Sequence, residues 1–124
     1  MQLDNSHQVI FGNAIADGVN QHGWFIGHFI DENSARCTSE VEVKWGVHTA
    51  GDQRSQWSIN HTATTLSILV HGRFRLYFPD HEILLAHEGD YALWLPEVAH
   101  NWVAEADSAV ITVRLPSTSG DTIE

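Results

Sequence analysis

Histidine has the widest chemical reach of any side chain in this sequence. An imidazole can ligate a metal, pass a proton near neutral pH or hydrogen-bond a ligand. The 124-residue chain carries nine histidines. His48, His61 and His100 could supply three nitrogen ligands, which with open positions would suit a divalent transition metal such as Fe, Mn, Ni or Zn. Asn60 could add an oxygen donor. Trp102 follows His100 by two residues, so on a strand the two side chains share a face. Trp57, Tyr91, Trp94 and Trp102 crowd the same half of the chain, and five tryptophans in all is a high count for this length. Aromatic walls suit planar or sugar-like ligands, with an indole N–H to orient them; any one of these rings also serves as ordinary core packing. Arg75 or Arg114 could hold a carboxylate ligand bidentately, the plainer alternative being a salt bridge to one of the sixteen acids. The candidate ligand-binding residues are therefore His100, Trp102, Asn60 and Trp57, and the candidate metal ligands are His100, His61 and His48.

Other chemistry is excluded by pattern. His81-Glu82 and His87-Glu88 resemble fragments of a zinc-enzyme motif, but no second histidine follows at the four-residue helical spacing. There is no Gly-x-Ser-x-Gly elbow, phosphate-binding glycine loop or dinucleotide fingerprint. Cys37, the single cysteine, stands in no motif and reads as a free thiol. With one cysteine the fold needs no oxidising compartment.

The elements that must position these residues read as strands. Residues 40–49 alternate, with Val41, Val43, Trp45 and Val47 on one face and Glu42 and Lys44 on the other. His48 shares the parity of Glu42 and Lys44, which predicts an outward side chain. Residues 64–70 are almost continuously apolar, as in a central strand. Residues 73–78 alternate with Phe74, Leu76 and Phe78 inward. Residues 24–30, 83–85, 91–95, 101–104 and 109–115 complete the set, and Gly51, Gly72, Pro79-Asp80 and Gly89-Asp90 punctuate it as turns. Short strands at even spacing without an amphipathic helix predict an all-β sandwich or barrel. The chain divides into an N-terminal segment, 1–22, a barrel domain, 23–116, and a flexible tail rich in Ser, Thr, Gly and acid, 117–124.

Two stretches within residues 64–102 resemble the cupin family. Thr65-Leu-Ser-Ile-Leu-Val-His-Gly72-Arg-Phe is similar to the end of the first cupin motif, where an apolar strand runs to a glycine at a tight turn. Gly89-Asp90-Tyr-Ala-Leu-Trp-Leu-Pro96-Glu-Val-Ala-His100 is similar to the second motif, with Gly-Asp, a short strand, a proline turn and a histidine eleven residues after the glycine. The resemblance implies a jelly-roll, or double-stranded β-helix, barrel around a pocket. It also implies where metal ligands would stand. A His-x-His pair and an acid seven residues before the first motif's glycine fall here on Ser58, Asn60 and Thr65; a one-residue shift brings His61 to one ligand position. His100 keeps its place, and Glu97 replaces the usual glycine of the second turn. Cupin domains commonly dimerise, which implies a homodimer, and residues 24–30, apolar on both faces, suit a buried position in it.

Composition narrows the partners. A net charge of −10 with six Lys plus Arg repels a phosphate backbone and an anionic membrane surface, so neither nucleic acid nor membrane is expected. No leader-like or membrane-length apolar run is present in the sequence, and a cytoplasmic location is the default expectation. The function expected is a small-molecule-binding barrel. The alternative is a metal-dependent cupin enzyme, an oxygenase, isomerase or lyase on a small organic substrate.

Overall fold

The computed structural model describes residues 9–123. Two antiparallel five-stranded sheets face each other. The first has the order β1-β2-β9-β4-β7 and the second β10-β3-β8-β5-β6. In chain order the strands are β1 (Trp24–Ile26), β2 (Glu42–His48), β3 (Gln53–Asn60), β4 (Thr64–His71), β5 (Phe74–Phe78), β6 (His81–Leu85), β7 (Tyr91–Trp94), β8 (His100–Ala104), β9 (Ser108–Leu115) and β10 (Thr122–Ile123). A short α-helix, Ala14–Gly18, and a single 3-10 turn, Val19–Gln21, precede them, the first amides of the α-helix being capped by Asn13 Oδ1. The all-β jelly-roll expectation therefore holds.

The core lies between the sheets and follows the predicted alternation in β5. Phe74, Leu76 and Phe78 are buried with Leu69, Leu85, Ala92, Trp94, Ala104 and Val110. Burying a side chain such as Leu76 contributes about 2 kcal/mol of hydrophobic stabilisation. Gly72 is the glycine that the β4–β5 turn requires. Its φ is +104°, and a Cβ there would strike Ser108 Oγ and the Asp107 carbonyl.

Four sequence expectations are corrected. The strand expected over 24–30 is limited to Trp24–Ile26. β3 was not expected, because Gln53 to Gln56 carry no apolar alternation; its pairing with β8 is also interrupted between Arg54 and Ser58. The faces of β2 are reversed. Glu42 and Gly46 are buried, Val47 is 63% exposed, and His48 turns inward with Lys44. Finally, 117–123 is no frayed tail. Ser117 and Asp121 are buried, and Thr122 and Ile123 pair with Asn60 and Ile59 of β3.

Candidate functional site

The inner face of the first sheet is a ladder that changes character along the barrel axis. Its outermost rung is Glu42, Arg114, Thr65 and Trp94, and the next is Lys44, Thr112, Ser67 and Ala92. Deeper rungs hold Gly46, Val110 and Leu69, then His48 beside Ser108. The second sheet faces this ladder with His100 and Trp102 of β8, Phe74 and Leu76 of β5, and Arg54 of β3. Between them lies a cavity of about 60 Å³. Trp24 and Arg114 form a wall shared with a recess of about 200 Å³ on the side of β10.

His100 and Trp102 line the cavity together, as strand alternation predicts. His100 is 4% exposed, and its ring lies 4.8 Å from that of Trp94. Its Nδ1 is 3.0 Å from the Val98 carbonyl, which can only accept, so Nδ1 carries the proton and Nε2 is left as an acceptor. Burial lowers the His100 pKa, the Val98 hydrogen bond opposes this, and the charges of Arg114 and Arg54 lower it further. The imidazole is therefore neutral near pH 7. The His48 ring packs at a tilt against Trp102 and Phe74, with ring centres 4.4 Å and 5.3 Å apart. Burial and the charge of Lys44 lower its pKa against the pull of Asp52.

The remaining candidates separate. Asn60 is buried, but it faces the recess, where its Nδ2 donates to Thr122 Oγ1 at 2.8 Å. His61 sits at the β3–β4 turn with its side chain about half exposed, and its Nδ1 is 3.1 Å from Glu97 Oε1. It is not placed beside His48 and His100, because the turn keeps the unshifted register. Trp57 is 45% exposed in an open surface recess with Tyr77 and Asn101. Arg75 is on the surface, paired with Glu105 at 2.6 Å and Glu82 at 2.9 Å.

These residues do not fit a divalent metal. The positions implied by the resemblance are Ser58, Asn60, Thr65 and His100, three neutral oxygen side chains and one imidazole. Three cationic side chains, Lys44, Arg54 and Arg114, line the same cavity, and a metal ion would be repelled by them. Among the described residues no group of three or more His, Cys, Asp and Glu side chains is placed to hold a metal ion.

Sequence reasoning named Arg114 as a possible carboxylate holder and missed the other two cations of the cavity, Lys44 and Arg54. Lys44 is the only lysine in the chain; its Nζ lies 5.8 Å from the centre of the Trp24 ring, and the Arg114 guanidinium carbon lies 4.7 Å from the same ring. Burial, then the charges of Arg114 and Arg54, lower the Lys44 pKa to about 8. Arg114 Nη1 donates to Glu42 Oε2 at 3.3 Å, and Glu42 Oε1 accepts from Ser117 Oγ at 2.7 Å. A buried carboxylate thus has its own partners within the wall. Parity puts Glu42, Lys44 and His48 together on one face of a strand whose other face is apolar, but it does not mark that charged face as the inner one.

No family model matches the chain, and curated proteins gave no match. Solved structures show the fold. KdgF from Halomonas sp. is 22% identical over 65% of this chain and 74% of its own, with a TM-score of 0.57. An RmlC-like cupin from Shewanella frigidimarina is 20% identical over 65% and 70%, also at 0.57. A protein with a double-stranded β-helix domain from Klebsiella pneumoniae is 15% identical over 69% and 75%, at 0.61. The chain has the cupin fold.

Proposed function

We propose that this protein binds a small organic molecule inside the barrel and needs no metal to do so. One observation carries the reading. Among the described residues, Ser58 Oγ, Asn60 Oδ1, Thr65 Oγ1, Trp94 Nε1 and Arg114 Nε are buried without a hydrogen-bond partner. Buried polar groups are nearly always satisfied, and each one left unmet costs about 1–3 kcal/mol. Thr65, Trp94 and Arg114 belong to the cavity wall, and Ser58 pairs in register with His100. Clustered unmet donors and acceptors beside flat aromatic walls suit a ligand that supplies the missing partners.

The test is nuclear magnetic resonance of the indole N–H signals with a set of neutral and charged small fragments. Fragments should shift the Trp94 and Trp102 signals and leave exposed Trp57 alone. His100→Ala should weaken the effect about tenfold, the loss expected for one hydrogen bond in a dry site. If no fragment of either kind moves those two signals, the barrel is not a binding site.

A further inference from the structure

We propose that the ligand of this barrel is a small organic carboxylate whose head group is held by Lys44 and Arg114. The proposal rests on the reading of the interior as a binding site and adds the charge and chemical class of what binds there.

The distribution of charge points this way. The chain has six Lys plus Arg against sixteen Asp plus Glu. Three of the six, Lys44, Arg54 and Arg114, line one cavity of about 60 Å³, and no carboxylate of a described residue lines it with them. Arg114 has an acidic partner in Glu42, held at 3.3 Å within the wall; the remaining arginines lie away from the cavity, where Arg73 and Arg75 pair with Glu105 on the surface and Arg36 donates to the Phe25 carbonyl. Gathering cations in an acidic protein's interior raises the local positive potential where water is scarce, and an anion would find its strongest attraction there.

Individual atoms sharpen the argument. Lys44 Nζ makes no hydrogen bond or ion pair with a described residue, and it lies over the face of Trp24. Arg114 uses Nη1 on Glu42 and Thr122, while its Nε is buried and unpartnered. Both cations flank the same indole. Two charge-assisted donors with a nearby Thr65 hydroxyl match the two oxygens of a carboxylate. The tight cavity and its flat walls favour that planar head over a tetrahedral phosphate. His100 Nε2, an acceptor on the opposite sheet, suits a hydroxyl on the same molecule.

Lys44 is charged at neutral pH, and its surroundings decide how its titration responds. Arg114 faces it from β9, Arg54 from β3, His100 from β8 and Trp24 from β1; Glu42 and His48 share its own strand. Burial first, and then the charges of Arg114 and Arg54, hold its pKa near 8. A bound carboxylate would favour the ammonium form and raise that value, by about 1 to 3 pH units for an opposite charge in contact.

The chain's single lysine makes this measurable in the intact protein. Labelling lysine with carbon-13 at Cε gives one lysine resonance, from Lys44. Its midpoint should lie near pH 8, rise when glycolate is added, and stay put with glycolamide, the neutral isostere. Lys44→Met should weaken glycolate binding at least about tenfold, read at the Trp94 indole N–H; this variant removes a charge from a repelled cluster and strands no carboxylate. A midpoint unmoved by glycolate overturns the proposal. If neutral fragments still shift Trp94 and Trp102, only the carboxylate assignment falls; if nothing shifts them, the binding reading falls with it. Inorganic phosphate acting at lower concentration than glycolate also overturns the carboxylate assignment.

Discussion

Glu97 adopts a backbone conformation that glycine prefers. Its φ is +72°, and a non-glycine residue there carries roughly 1–2 kcal/mol of strain. What holds it is local: its N–H donates to the Asn60 carbonyl at 2.8 Å, and its carboxylate pairs with exposed His61 at 3.1 Å. An exposed pair of that kind contributes little. Glu97→Gly should therefore stabilise the protein by up to about 1 kcal/mol, after glycine's greater unfolded-state freedom is subtracted, and raise the melting temperature seen by circular dichroism. An unchanged or lower melting temperature would show that the His61–Glu97 pair outweighs the strain. At this scale the sequence was legible where a motif fixes spacing: His100 and Trp102 were placed inward by the distance from Gly89. It misled where alternation was equated with burial. Valines marked one face of β2 as the core face, yet Lys44 and His48 turn inward, because the apolar side chains of this strand cover the outside of the sheet. A single strand's parity cannot tell which of its two faces is the inner one.

Among the elements, β4, β5, β7, β8 and β9 were readable because apolar period and turn residues agree there. β3 and the C-terminal segment were not, because what holds them is polar. Asp121 shows how. Its Oδ1 accepts from Thr62 N at 2.7 Å and Thr62 Oγ1 at 2.6 Å, and its Oδ2 from Ala63 N at 3.1 Å and Asn60 Nδ2 at 3.4 Å. One carboxylate thus ties the C-terminal segment to the β3–β4 turn, which also forms one end of the recess beside the cavity. Burial pushes the Asp121 pKa up, but the hydrogen bonds from Thr62, Ala63 and Asn60 outweigh it, and the net shift is downward. A carboxyl lowered on folding contributes stability that is present above its unfolded pKa, about 3.9, and is lost as pH falls through the folded value. Asp121→Ala should cost about 3 kcal/mol in urea denaturation at neutral pH. The difference from wild type should shrink below about pH 4, since protonation then removes the same interaction from the wild type. An equal difference at both pH values would show that the carboxylate's charge is not what holds the segment.

The whole molecule presents an outer sheet face whose composition suits self-association, and we propose that a second copy of the chain covers it. The register sets Val43, Val113, Leu66 and Leu93 in one row and Trp45, Ile111, Ile68 and Tyr91 in the next. No charged side chain stands in either row, and Leu93 and Tyr91 are 56% and 66% exposed. The short helix packs over the β1–β2 side and leaves the β4–β7 side open. A chain carrying −10 charges repels its own copy over most of its surface, so a two-fold contact must form where the acids are absent. This face meets that condition, and an unlike partner would need no such neutrality. A homodimer is also what the resemblance to cupins implies, though the reason first read from residues 24–30 does not carry over, since β1 faces the cavity through Trp24. Sedimentation equilibrium at micromolar concentration should give twice the chain mass. Leu93→Glu places a charge in the middle of the open side without touching the core and should yield a monomer with an unchanged circular dichroism spectrum, its apparent melting temperature lowered as the dimer is lost. A wild-type monomer, or a Leu93→Glu protein that still dimerises, would mean that this face is not where two copies meet.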